Sequence, residues 1–235
     1  FARRTEGFEE VGGNRLAELE PDLAGRFDRA LFFADEAHLD PRAAMDALGR
    51  GLAERGIVTA AEMPEGAEDE QVIDCRGLAA RDILPDLRGV RGEMLVLRCP
   101  EVTLSRPVRL LHPRVPIYLV PRGDGVFMLG ATMIESDRRG IVTARSVMEL
   151  LSAAFALHPA FGEAEIVELG ADARPAFPDN LPRIRHAGGR LCANGLYRHG
   201  YLLAPAVAMQ VADYLETGEP PEFMTEDTHA TDDQR

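Results

Sequence analysis

The sequence predicts a mixed α/β (α+β) chain in which a parallel-sheet region is interleaved with an antiparallel one. Two segments carry the parallel part: Val72-Ile73-Asp74-Cys75 runs into Arg76-Gly77, and Leu191-Cys192-Ala193-Asn194 runs into Gly195. A short buried strand ending in glycine is how a strand-to-helix crevice opens in a parallel sheet. Between them, residues 90–173 alternate short apolar runs with turns, the pattern of an antiparallel meander.

The elements follow in order. Phe1-Ala2-Arg3-Arg4 lacks an initiator Met and has the pattern of a helix interior, so the chain is expected to be processed or to begin within a longer one. Leu16, Leu19, Leu23 and Phe27 give a short helical period around Glu20-Pro21, and Ala30-Leu31-Phe32-Phe33 predicts a strand. Asp40 before Pro41 is an N-cap before a proline at the first helical position. Ala43, Ala44, Met45, Ala47, Leu48 and Leu52 continue as an amphipathic helix that Gly56 closes. Gln71–Cys75 is the first parallel-type strand.

The antiparallel strands are Met94–Leu97, Val108–Leu111, Ile117–Val120 and Val126–Leu129, with Arg122-Gly123-Asp124-Gly125 as a hairpin turn. Val147–Leu157 predicts a helix ending near His158-Pro159, and Glu165–Leu169 another strand. Leu202–Leu215 is the last helix, stopped by Gly218 and Pro220.

Charge and composition remove several function classes. All 26 basic residues are arginine, so no P-loop lysine and no Schiff-base lysine exists. The net charge of −13 argues against a nucleic-acid partner. Most of it sits in two places, the five acids of residues 61–70 and the seven acids against one arginine of residues 216–235. Both read as solvated segments. Cys75, Cys99 and Cys192 have no metal-ligand spacing and suit reduced thiols in the cytoplasm. No apolar run reaches membrane-spanning length. The histidines suggest no metal site, and no hydrolase triad has supporting context.

Three constellations remain. In Asn194-Gly195-Leu196-Tyr197-Arg198-His199-Gly200-Tyr201-Leu202 a strand ends, two glycines allow close backbone approach, and a helix begins with unpaired N–H groups. Such a turn accepts an anion or carbonyl, and it also serves as an ordinary strand–helix connection. In Gly170-Ala171-Asp172-Ala173-Arg174-Pro175, proline holds Arg174 extended, and a guanidinium there can present its planar fork to a carboxylate. In the third, Tyr118 and Met133 are candidates to face one cavity across a hairpin, with ordinary core as the alternative.

These segments, with Glu36–Arg42 and Val72–Leu78, occur in an order that resembles the FAD-dependent D-amino acid oxidase family, most closely the glycine oxidases of thiamine biosynthesis. The resemblance covers nearly all of residues 20–216 and implies site roles. Arg174 would clamp a substrate carboxylate, Arg198 would stand near it, Tyr118 would add a hydroxyl and Met133 would line the pocket. Arg76, Gly77, Arg198, His199, Gly200, Tyr201 and Leu202 would lie against the cofactor FAD, with no metal.

It also implies an organisation in five parts. Residues 1–57 bridge the FAD and substrate domains, and 58–89 return to the FAD domain. The antiparallel substrate domain is 90–173, the closing FAD-domain segment 174–217, and the acidic tail 218–235. The implied activity is oxidative deamination of glycine or a small amino acid to the 2-oxo acid, ammonia and hydrogen peroxide, feeding thiazole synthesis. Alternatives are a D-amino acid or sarcosine oxidase, or a dehydrogenase. The partners would be the amino acid and molecular oxygen, with no nucleic acid and no membrane; association into a homo-oligomer stays open.

Two departures from the family stand out. The opening G-x-G-x-x-G turn has no counterpart, so the FAD-binding domain is expected to be incomplete here. The acidic connector from Val58 to Gln71 replaces additional strands. The 235 residues alone are therefore expected to retain no FAD and to expose a sheet edge, while the intact protein is an oxidoreductase.

Overall fold

The computed structural model describes residues 2–62 and 71–224. Most of the acidic connector and the end of the acidic tail lie outside them. The described chain forms two compact units.

The first unit holds residues 2–40, 92–133 and 140–171. Strand β1 (Glu9–Gly12) pairs antiparallel with β2 (Arg29–Phe32), and helix α1 (Gly13–Leu19) with a 3-10 turn (Pro21–Leu23) connects them. Ala2–Arg4 is one 3-10 turn rather than part of a longer helix. The sheet at the unit's centre has the order β5-β6-β7-β4-β8. Its strands are β4 (Arg88–Arg98), β5 (Val108–Leu110), β6 (Ile117–Pro121), β7 (Val126–Gly130) and β8 (Ile134–Glu135), with a sixth, β9 (Glu165–Ala176), pairing with β4 off that path; the first residues of β4 and all of β8 are counted with the second unit.

Side chains on a strand point alternately to opposite faces. Register places Leu95 against Leu129, Leu97 against Phe127 and Leu119 against Leu129, so three strands send one apolar set to one side. All five of these residues are buried. Leu16, Leu23, Leu150, Ala154, Leu157 and Phe161 complete that core. Each fully buried large apolar side chain contributes about 1.5–3 kcal/mol. Helix α3 (Ala144–Leu157) starts at Thr143, whose hydroxyl accepts the Ser146 N–H at 3.3 Å, the usual N-cap bond. The hairpin turn is as expected: the Arg122 N–H donates to the Val126 carbonyl and the Val126 N–H to the Gly123 carbonyl.

The second unit holds residues 41–62, 71–91, 134–139 and 172–224. Its sheet runs β10-β11-β3, with β3 (Ile73–Asp74) parallel to β11 (Arg190–Asn194) and β10 (Arg183–Ala187) antiparallel to it. The parallel strand is shorter than the expected 71–75 and leads into a 3-10 helix (Gly77–Asp82). Strand β9 (Glu165–Ala176) is longer than expected; its last residues, from Asp172, belong to this unit and include Arg174-Pro175. Helix α4 (Gly200–Thr217) buries Val207 and Val211 against Ile184, Leu191 and Ala193. Gly218 ends it in the left-handed conformation.

Helix α2 (Pro41–Glu54) forms where the sequence predicts it, yet none of its residues is buried. Met45, Leu48 and Leu52 face outward at 57%, 61% and 41% exposure. Periodicity sets which residues share a helix face, not whether that face is covered.

Candidate functional site

Three chain turns of the second unit meet at the ends of β3, β9 and β11. Asn194, the last residue of β11, is 2% exposed and holds two of them. Its side-chain N–H donates to the Gly77 carbonyl at 3.0 Å, and its side-chain oxygen accepts the Gly195 N–H at 2.8 Å. The Tyr197 N–H donates to the Pro175 carbonyl at 3.1 Å, which fixes the same turn to the end of β9 beside Arg174. A Cβ on Gly77 would sit 3.6 Å from the Pro175 ring, so β3 and β9 also approach closely. The structure therefore brings Gly77, Arg174-Pro175 and the Asn194–Tyr197 turn into one cluster. Sequence reading did not single out Asn194 as a site residue; the signal was a polar side chain at the end of a small-residue strand.

The turn has one shape. Gly195 has φ +80°, and Tyr197 also has a positive φ of 48°, uncommon for a residue with a side chain. Beyond it, Arg198 and His199 are exposed, and α4 begins at Gly200. The Leu202 and Leu203 N–H groups donate to the His199 carbonyl at 3.1 and 2.9 Å, so the helix start is more closed than its sequence suggests, and the helix dipole adds positive character there. Around the position of a Cβ on Gly200 nothing lies within 4 Å. Tyr201 and Leu202 are 52% and 76% exposed, an apolar surface at a helix start. The Tyr201 hydroxyl donates to the Pro41 carbonyl at 3.1 Å, which ties the starts of α4 and α2 together.

Arg76 is engaged within the chain. Its guanidinium donates to Asp74 at 2.8 Å and to Asp82 at 2.9 Å, and its backbone N–H donates to Asp74 at 3.0 Å. Burial works to raise the Asp74 pKa. The side-chain and backbone hydrogen bonds from Arg76, with the charges of Arg76 and Arg190, outweigh burial and hold the carboxyl below its ordinary value of 3.8. A depressed carboxyl contributes stability that is in place above 3.8 and is lost as pH falls below it. Asp74→Ala should therefore cost about 1–3 kcal/mol at neutral pH. The measurement is the urea midpoint at pH 7 and at pH 3, with the deficit shrinking at pH 3. Equal midpoints for mutant and wild type at pH 7 would show that the pair stabilises nothing.

Tyr118 and Met133 belong to the first unit, not to the second-unit cluster just described. Tyr118 lies on β6, half-buried, in register with Gly130 of β7. Met133 follows β7 by three residues and is 50% exposed. A recess of about 370 Å³ in the first unit is lined by other residues, Pro100, Leu104 and Phe127 among them. Among the described residues no three His, Cys, Asp or Glu side chains gather to hold a metal, and no helix is long and apolar enough to cross a membrane.

Residues 1–214 match the family model described as FAD dependent oxidoreductase (DAO). The chain is 60% identical over 224 residues to a Rhizobium etli protein named thiamine biosynthesis oxidoreductase ThiO, covering 94% of this chain and 68% of that one. It is 33% identical over 178 residues to the glycine oxidase of Pseudomonas putida, covering 71% of this chain and 47% of that one. Among solved structures, the glycine oxidase of Geobacillus kaustophilus has a TM-score of 0.77 at 26% identity, over 94% of this chain and 66% of that one. The chain thus spans about two thirds of the first and last of these relatives, and less than half of the second.

Proposed function

This chain belongs to the DAO family of FAD-dependent oxidoreductases, and on that premise we propose that the full-length protein oxidises glycine, or a comparably small amino acid, for thiamine biosynthesis. The observation that carries the proposal is the second-unit cluster. There Arg174 stands beside the carbonyl that fixes the turn leading into the α4 N-terminus. A planar cation and a helix start, set on one framework, suit an anionic group and an electron-rich ring.

The residues present fit one end of FAD. Gly200 leaves open space where a Cβ would stand, and Leu202, whose N–H donates to the His199 carbonyl at 3.1 Å, offers exposed apolar surface. Gly200, Tyr201 and Leu202 would lie against the flavin ring, with Arg198 and His199 at the same turn. Gly77 would approach it through its backbone, and Arg76 would hold the shape of that strand end through Asp74 and Asp82. The diphosphate end has no G-x-G-x-x-G turn to hold it in this sequence, so no residue of the chain is assigned there. For that reason the 235 residues alone should not retain FAD.

When bound, FAD would supply two-electron oxidation, with molecular oxygen as the final acceptor and hydrogen peroxide as its product. The chain's own contribution is placement. Arg174 would take the substrate carboxylate on its fork, with Arg198 adding charge, Tyr118 a hydroxyl and Met133 a wall of the pocket. A substrate held in this way would present its Cα–H and neutral amine for two-electron oxidation, and water would convert the resulting imine to the 2-oxo acid and ammonia. No side-chain base is assigned, because orientation supplies much of the rate. Three free cysteines, two of them buried, suit a cytoplasmic location.

The test is turnover by the purified FAD-loaded protein of glycine, sarcosine and D-alanine, with and without oxygen. Glycine should give the highest kcat/KM and one peroxide per 2-oxo acid. Preference for sarcosine or D-alanine would move the substrate assignment, and turnover without peroxide would make the protein a dehydrogenase.

A further inference from the structure

Gly130 and Tyr118 face each other across β7 and β6. A Cβ built on Gly130 would lie 2.6 Å from the Tyr118 hydroxyl oxygen, 2.7 Å from Cζ and 2.9 Å from Cε2. The end of the phenol thus occupies the space that a side chain at 130 would fill, and no other residue type leaves that space open. Two residues on, Thr132 is tied to the main chain of Glu93, which is 0% exposed. The Glu93 N–H donates to the Thr132 hydroxyl at 2.9 Å, and the Thr132 N–H donates to the Glu93 carbonyl at 3.2 Å. Met133 is the next residue. The short segment 130–133 therefore joins the glycine that leaves room for the Tyr118 phenol to Met133, with Thr132 between them held on the main chain of buried Glu93.

We propose that Gly130 and Thr132 are positioning residues for substrate binding, Gly130 by leaving room for the Tyr118 phenol and Thr132 by anchoring Met133 to Glu93. The inference rests on the reading of Tyr118 and Met133 as substrate-site residues. It makes Gly130→Ala act through the Tyr118 hydroxyl rather than beside it.

The experiment is a double-mutant cycle on the full-length FAD-loaded protein. Two quantities are read: kcat and KM for glycine, and the dissociation constant of acetate, a carboxylate without an amine, from perturbation of the flavin absorbance. Tyr118→Phe and Gly130→Ala should each weaken acetate binding and raise KM by about tenfold, the worth of one well-placed hydrogen bond. In the Tyr118→Phe background, Gly130→Ala should change either quantity less than twofold. Thr132→Val supplies a second arm should Gly130→Ala fail to fold. It should raise KM several-fold, and Thr132→Ser, which keeps the hydroxyl, should restore it.

Additive effects of Gly130→Ala and Tyr118→Phe, or a serine variant no better than valine, overturn the inference while glycine turnover by the wild type leaves the functional reading standing. A wild type that neither oxidises glycine nor responds to acetate overturns that reading, and this inference with it.

Discussion

Arg174→Ala should lose most of its activity toward glycine while keeping its flavin. Removing one partner of a desolvated charge pair costs about 2–5 kcal/mol, which corresponds to roughly 30- to 4,000-fold in kcat/KM. The loss should appear chiefly in KM, because the carboxylate is held equally before and during the reaction. Arg174→Lys should recover only part of it, since an ammonium keeps the charge but not the fork. Arg174 sits within β9 directly before Pro175, whose carbonyl takes the Tyr197 N–H, so the backbone there is held and the change removes the side chain beyond Cβ. Steady-state kinetics with glycine, beside the flavin absorbance of the purified variant, measure both statements. Unaltered kcat/KM would remove Arg174 from the site.

Gly195→Ala should damage the fold instead. At φ +80° an L-residue is strained, and the added Cβ would stand 2.3 Å from Cδ2 and 2.5 Å from Cε2 of Phe177. That ring has nowhere to go. It is 0% exposed, and the guanidinium groups of Arg183 and Arg185 lie 4.5 and 5.1 Å from its centroid. Asp86 in turn holds both arginines. Strain of about 1–2 kcal/mol with overpacking of about 1–3 kcal/mol is a large share of a typical stability of about 5–15 kcal/mol. The urea midpoint should fall by a corresponding amount, with lower soluble yield. Gly200→Ala is the control: its Cβ meets nothing within 4 Å and it opens a helix, so the midpoint should hold. An unchanged midpoint for Gly195→Ala would mean the turn can relax.

The contrast between these two glycines shows what was readable in the sequence. The glycine-rich turn, the hairpin at 122–125, α3 and α4 all carry local signals, namely turn residues, apolar periodicity and stop residues. Strand β10 has none, because Arg183-Ile184-Arg185-His186-Ala187 buries only Ile184 and owes its place to pairing with β11 and to Asp86. Strand β1 buries only Val11. Neither shows the alternation that marks a half-buried strand.

The candidate site was legible to a similar depth. Arg174, Gly77 and the 194–202 turn stand out by residue type, and the structure joins them through Asn194 and Pro175. Gly130 could not be found that way. Its significance depends on strand register, which puts Tyr118 opposite, and register follows from packing rather than from local pattern. The bare apolar face of α2 was equally out of reach, since Met45, Leu48 and Leu52 have the spacing of a buried stripe.

One measurement bears most directly on the central claim. The full-length protein, loaded with FAD and kept free of oxygen, is mixed with glycine while the visible flavin band is followed. The band should bleach, and admitting air should restore it with one hydrogen peroxide formed per 2-oxo acid. A band that stays oxidised with glycine, sarcosine and D-alanine alike, at concentrations that saturate acetate binding, would contradict that claim.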